Sequence, residues 1–267
     1  MKHILITGST DGIGKLLALR LAKEGHFVGV HGRTDAKLKA TVTEIKAESK
    51  NDNVVGFLAD FSDLEAVKKM AIDVEKQMPI IDILINNAGL FISKNASIAS
   101  GIDARLVVNY LAPYQLTAAI IPLLKKATAP RIINLSSAAQ APVSLEALQK
   151  NIGLGANEAY AQSKLALTMW SFSLAKQEPS ITVVAVNPGS LLDTKMAKEA
   201  YGQHWSPAEK GVAILYDLAS TDLAETGTYY DNDKGFYSKA HPDAYDSNKI
   251  SALMQLTKGL LSNYNDY

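Results

Sequence analysis

Cysteine is absent from the 267 residues, which excludes disulfides and thiolate-held metals. No sign of charge dominates. The 27 Lys and Arg stand against 27 Asp and Glu, so no net field draws the chain to nucleic acid or to an acidic membrane. No apolar run reaches the ~18 residues of a membrane span, and there is no internal repeat, low-complexity tract or convincing linker. The first apolar run starts at residue 2 or 3, which is read as leaving no room for a signal peptide, so a cytoplasmic protein is expected. What is there is a chain of 47% hydrophobic content, long enough for one large domain over residues 1–267 with a substantial core.

Six short apolar runs read as buried parallel strands: Ile4 to Ile6, Phe27 to Val30, Val54 to Leu58, Ile80 to Ile85, Ile132 to Leu135 and Val183 to Val186. Helical patterns lie between them at 13–24, 35–49, 63–77, 98–126 and 157–177. Gly25 reads as a helix stop. Ser62 to Glu65 and Ser206 to Glu209 read as capping boxes, the second with Pro207 at the first helical position. This alternation predicts an α/β fold, a doubly wound parallel sheet with helices on both faces and ligands at the carboxyl ends of its strands.

The first strand runs straight into Thr7-Gly8-Ser9-Thr10-Asp11-Gly12-Ile13-Gly14 and then a helix. Unpaired N–H groups and the partial positive charge of a helix start favour an anion there, and glycine lets the backbone approach a pyrophosphate. At the end of the second strand, where an acid would hold the 2′-hydroxyl of NAD, the sequence has His31-Gly32-Arg33. The planar fork of Arg33 suits a 2′-phosphate, which favours NADP(H) over NAD(H); the alternative is a solvated arginine. Asp60 ends the third strand. If Ser62 caps the next helix, the Asp60 carboxylate is left for the adenine amino group. Asn86-Asn87-Ala88-Gly89 ends the fourth strand with small residues suited to backbone–cofactor contact, though the same four residues also make a plain turn.

Tyr160 and Lys164 are four apart in a helical stretch and so share one face. A nearby ammonium favours phenolate and brings tyrosine toward the range of an acid/base catalyst, whereas in an arbitrary helix the same pair is a surface pair. Ser136 and Ser137 follow the fifth strand, where a hydroxyl could hold a substrate oxygen or simply make a turn. No Gly-x-Ser-x-Gly elbow surrounds them, which argues against a serine hydrolase. Pro113 lacks the N–H that would bond the carbonyl of Asn109, so a kink is expected there, with a freed carbonyl able to hold a water.

Taken in order, Thr7-Gly-x-x-x-Gly-Ile-Gly14, Asp60, Asn86-Asn-Ala-Gly89, Asn109, Ser137, Tyr160-x-x-x-Lys164 and Asn187-Pro-Gly189 resemble the short-chain dehydrogenase/reductases over residues 2 to about 230. Arg33, the Leu-Ser-Ser run, the long segment before Tyr160 and Gly227-Thr-Tyr-Tyr230 look most like the retinol dehydrogenase-like and protochlorophyllide reductase-like members. The resemblance implies a Rossmann-type domain and a set of roles. Tyr160 would be the general acid/base. Lys164 would lower its pKa and bind the nicotinamide ribose. Ser137, rather than Ser136, would hydrogen-bond the substrate oxygen, and the Asn109 carbonyl would hold a water linking Lys164 to solvent. Gly8, Thr10, Asp11, Gly12, Ile13 and Gly14 would follow the pyrophosphate, and Arg33, Asp60 and Phe61 the adenosine. Asn87, Ala88, Gly89, Pro188, Gly189 and Leu191 would continue the cofactor line.

Two departures stand out. The family threonine falls at Asp193, with Thr194 one further on and preferred here for the carboxamide. Between Ser137 and Tyr160 lie 22 residues rather than about a dozen, so the segment 138–156 is expected to form a loop beside the site. Leu191 to Trp205 is expected to be an apolar lid; the plainer alternative is an amphipathic helix on the core. The 231–267 tail is expected to close the pocket or meet a second subunit, since dimers and tetramers are common in the family. The expected function is NADP(H)-dependent interconversion of a carbonyl and an alcohol on a lipophilic small molecule. A catalytically silent NADP(H)-sensing or scaffold protein of the same fold is the alternative. A nucleotide-sugar epimerase would need a different glycine spacing.

Overall fold

A computed structural model describes residues 1–93, 98, 101–150, 152–202 and 205–262, with the backbone alone for residues 200 and 201. Eight strands form one sheet in the order β3-β2-β1-β4-β5-β6-β7-β8. They are β1 (His3–Ile6), β2 (Phe27–Gly32), β3 (Val54–Leu58), β4 (Ile83–Asn86), β5 (Arg131–Leu135), β6 (Thr182–Asn187), β7 (Thr228–Asp231) and β8 (Phe236–Tyr237). β1 to β7 run parallel and β8 returns antiparallel against β7. All six runs read from the sequence are strands. The fourth is shorter than its apolar stretch, because Ile81 gives its N–H to Leu123 and Asp82 gives its carboxylate to His3 before the ladder begins.

Strand register explains the two cores. Leu5, Leu84, Ile132 and Val183 pair in one row and point to one face; Ile6, Ile85, Ile133 and Val184 form the next row and point to the other. Helices α1 (Gly12–Lys23), α2 (Asp35–Ser49) and α8 (Ala208–Ser220) cover the second face. The first is covered by α3 (Leu64–Gln77), by α4 (Ala104–Leu106) continued as α5 (Ala112–Leu124), and by α6 (Ala156–Gln177) and α9 (Ser247–Ser262). Between β1 and β4 the order reverses, so their connections leave to opposite faces and open a crevice at the carboxyl edge.

Local chemistry corrects three expectations. Asp63, not Ser62, caps α3, its carboxylate accepting from the N–H groups of Glu65 and Ala66; a charged acceptor one residue later wins the cap. Ser206 caps nothing. Pro207 is itself the N-cap of α8, without a side-chain bond, because the Ser206 backbone is held in a bridge to Leu192. The kink expected at Pro113 takes the form of a π turn over Val107–Leu111, where the N–H of Ala112 reaches back five residues to Val107. The composite helix Ala104–Leu124 is long and apolar enough to cross a membrane, although no unbroken apolar run of that length exists; 67% of it is buried inside the fold.

The described part of the tail, up to residue 262, packs on the core of its own chain. Tyr110 and Thr257 share a buried hydrogen bond of 2.6 Å, and Leu253, Met254 and Leu261 of α9 enter the core against α6. The 138–156 segment is likewise anchored, with Ala147 and Leu148 buried and Ser144 bonded to Gln162. Leu253 is fully buried, so Leu253→Ala is expected to cost about 2–5 kcal/mol in urea unfolding. A loss within the error of the measurement would mean that α9 is a dispensable tail.

Candidate active site

Two turns interlock on the floor of the crevice. Thr7 Oγ1 accepts from the N–H groups of Asn87 and Ala88, both at 3.0 Å, and Asn87 Nδ2 donates to the carbonyls of Thr7 and Gly8 at 2.8 and 2.9 Å. Side chains have no room there. A Cβ on Gly8 (φ +63°) would lie 2.7 Å from Ala88 Cα, and one on Gly14 would lie 2.4 Å from Asn87 Nδ2. Asp11 caps α1 through the Gly12 N–H and pairs with Lys37 at 2.5 Å. The N–H groups of Ile13 and Gly14 have no protein partner among the described residues, as an anion cradle requires.

A cleft of about 1070 Å³ runs along this edge. Of the residues expected on the cofactor, Gly8, Thr10, Asp11, Gly12, Ile13, Gly14, Arg33, Asp60, Phe61, Asn87, Ala88, Gly89, Tyr160, Lys164, Pro188 and Thr194 line it. Gly189 and Leu191 do not. They shape the turn instead: Gly189 (φ +121°) bonds Asn187, and Leu191 (φ +47°) gives its carbonyl to Trp205. Asp60 is less free than expected, because one carboxylate oxygen takes both the N–H and the hydroxyl of Ser62; Oδ2 is left without a protein partner among the described residues. Arg33 is exposed and makes no ion pair among the described residues.

Tyr160 and Lys164 stand on one face of α6, with Nζ 5.6 Å from the Tyr160 ring centroid. Lys164 is buried and donates to the carbonyl of Leu135 at 2.7 Å; burial pushes its pKa down to about 8. Phe91 packs its ring 4.8 Å from Tyr160. Asn109 works through its side chain, in a way its sequence position did not foretell. Oδ1 accepts from the Leu90 N–H, while Nδ2 donates to the Leu90 carbonyl and to Ser163 Oγ, which in turn bonds the Tyr160 carbonyl. The π turn therefore pins the loop after β4 to the tyrosine helix.

The Ser136 hydroxyl is committed to Thr168 Oγ1 and the Lys164 carbonyl, although its residue lines the cleft. Ser137 lies just outside the lining. Its Oγ accepts from Ala139 and keeps its own proton for another acceptor. Asp193 pairs with Lys198, while Thr194 caps α7 (Lys195–Tyr201) and faces the cleft. Residues 203 and 204 of the expected lid lie outside the described residues.

Several site residues escaped the sequence reading. Leu90, Phe91, Ile92, Ile98 and Val108 make one end of the cleft apolar, together with Met196 of the segment expected as an apolar lid. Asp233, past β7, accepts from Ser190 and Asn187 and so fixes the Pro188 turn from 43 residues away. No local pattern marks such a contact. His31, visible only as a strand-end residue, sits in the wall beneath the cradle. The unfilled amides, the buried ammonium and the exposed arginine along one cleft fit a nicotinamide dinucleotide.

The comparisons agree with that geometry. The short chain dehydrogenase family model matches residues 2–205. Human polyprenol dehydrogenase is 29% identical over 249 residues, covering 85% of this chain and 75% of its own. Human retinol dehydrogenase 13 is 31% identical over 236 residues, covering 86% and 71%. A short chain dehydrogenase from Escherichia coli CFT073 complexed with NADPH is similar in structure, with a TM-score of 0.71 and 26% identity over 86% of this chain and 96% of that one. The chain belongs to the short-chain dehydrogenase family of NAD(P)-dependent oxidoreductases. Within that family it falls in the retinol dehydrogenase-like branch.

Lys164 carries a stability signature. Its pKa falls from 10.5 to about 8 on folding, so between these values the unfolded chain holds the extra proton and stability rises with pH. Below about pH 8 both states are charged and the full penalty, on the order of 3 kcal/mol, is in place. In urea unfolding of the cofactor-free protein, Lys164→Met is expected to compare more favourably with the parent at pH 7.5 than at pH 10. An equal difference at both values would contradict a depressed pKa.

Proposed function

We propose that the protein interconverts a carbonyl and an alcohol on a lipophilic small molecule with NADP(H) as the redox partner. The observation that carries this reading is the arrangement of one cleft, with exposed Arg33 at one end, Tyr160 beside buried Lys164 in the middle, and an apolar wall at the other end. The bound nicotinamide supplies hydride in reduction and accepts it in oxidation. Tyr160 gives a proton to the carbonyl oxygen in the first direction and takes it from the hydroxyl in the second, so each turnover balances one hydride with one proton. The charge of Lys164 favours phenolate and lowers the cost of moving that proton. Ser137 holds the substrate oxygen, and a water on the Asn109 carbonyl carries protons between Lys164 and solvent. Thr194 holds the carboxamide, and the Leu90 to Ile92 wall with Met196 takes the apolar body of the substrate.

Tyr160→Phe is expected to lower kcat by about 10²–10⁴-fold on a carbonyl substrate while leaving the NADPH dissociation constant unchanged. Near-parental turnover would remove Tyr160 from the chemistry. For the cofactor, calorimetry is expected to show NADPH bound about 10–100-fold more tightly than NADH, with Arg33→Ala erasing most of that gap. Equal affinities in the parent would refute the NADP(H) assignment.

A further inference from the structure

His31 is the one buried histidine among the described residues, and each of its polar groups has a partner. Its backbone exchanges hydrogen bonds with Ser9: the N–H donates to Ser9 Oγ, and the carbonyl accepts from the Ser9 N–H, both at 2.9 Å. Its ring bridges two strand ends. Nδ1 accepts from the Gly8 N–H at 2.9 Å, and Nε2 lies 3.0 Å from the Ala59 carbonyl. A backbone N–H can only donate and a carbonyl can only accept, so the neighbours dictate a neutral imidazole with its proton on Nε2. A second proton, on Nδ1, would set two donors face to face. Burial keeps that proton away, pushing the pKa down to about 4.

The ring does more than satisfy itself. It stacks on Phe61 at 4.2 Å between centroids with 25° between planes, and His31, Phe61, Gly8 and Ala59 all line the same stretch of the cleft. Gly8 has a positive φ and no space for a side chain, so its peptide orientation is set by hydrogen bonds rather than by packing of its own. We infer that His31 is a positioning residue for the adenosine half of the cleft, aiming the Gly8 turn through Nδ1 and holding Phe61 through its ring. The inference rests on the dinucleotide reading of the site.

Two substitutions separate positioning from mere core filling. In asparagine, Oδ1 stands as many bonds from Cα as Nδ1 does in histidine, so His31→Asn keeps an acceptor for Gly8. His31→Phe keeps a ring on Phe61 but takes away the acceptor of the half-buried Gly8 N–H. The Phe variant is expected to raise the NADPH dissociation constant and KM about tenfold, with kcat at saturating cofactor within about twofold of the parent. The Asn variant is expected to recover most of that affinity. In the cofactor-free protein, amide exchange at Gly8 is expected to quicken in the Phe variant and not in the Asn variant. If His31→Phe does not fold, His31→Gln, whose amide reaches toward Ala59 rather than Gly8, takes its place. NADPH affinity unchanged in the variant lacking the Gly8 acceptor, or equal losses in both variants, would overturn the inference alone. A parent that binds neither NADPH nor NADH would overturn the functional reading and this one with it.

Discussion

Every group on the floor of the cleft depends on how closely the turn after β1 approaches the turn after β4. Thr7 accepts two amides of the second turn, and Asn87 donates to two carbonyls of the first. With the carbonyls of Thr7 and Gly8 and the Thr7 hydroxyl so occupied, the N–H groups of Ile13 and Gly14 are left without a protein partner among the described residues. That polarity bias makes the site an anion cradle. Glycine at 8 and 14 follows from the interlock, since a Cβ at either position would sit inside a neighbouring turn. The glycine spacing is thus a record of contact across the sheet as much as of contact with a ligand.

The proposed reacting centre depends on a second constraint, the burial of an ammonium. Lys164 is buried and held by the Leu135 carbonyl at the end of β5, 29 residues earlier in the chain, so strand placement and α6 together bring it there. Asn109 completes the frame. By binding both backbone polar groups of Leu90 and reaching Ser163, it ties the loop after β4 to α6. A π turn is suited to this, because the added residue rotates the Asn109 side chain relative to a regular helix.

Much of this was legible in the sequence because it rests on local rules. Parallel strands buried on both faces read as apolar runs, and a helix start after glycine reads as a cradle. Tyr160 and Lys164 share a face by helical period alone. What was not legible involves competition or distance. Asp63 took a cap that Ser62 could equally have filled, and Ser62 then occupied the Asp60 oxygen meant for a ligand. Pro113 signalled an irregular helix but not that the irregularity would be a π turn upstream of it. The anchoring of α9 through Thr257 and the hold of Asp233 on Ser190 are contacts between residues far apart in the chain, with no periodic trace, and the two-residue β8 is too short to show an alternation.

Two points along the cleft carry the same sign of charge in opposite settings. Arg33 is exposed, so water screens its charge and its presence costs the fold little; in the proposed NADP(H) reading its planar fork would meet a 2′-phosphate. Lys164 is enclosed, so its charge is expensive in the folded protein at neutral pH, with one carbonyl to offset the lost hydration. A group held in that state favours any negative charge that develops beside it, and the Tyr160 ring lies 5.6 Å from its Nζ. The two effects have opposite signs: burial makes the ammonium costly, and a negative charge beside it would return part of that cost, which is the coupling the proposed mechanism draws on.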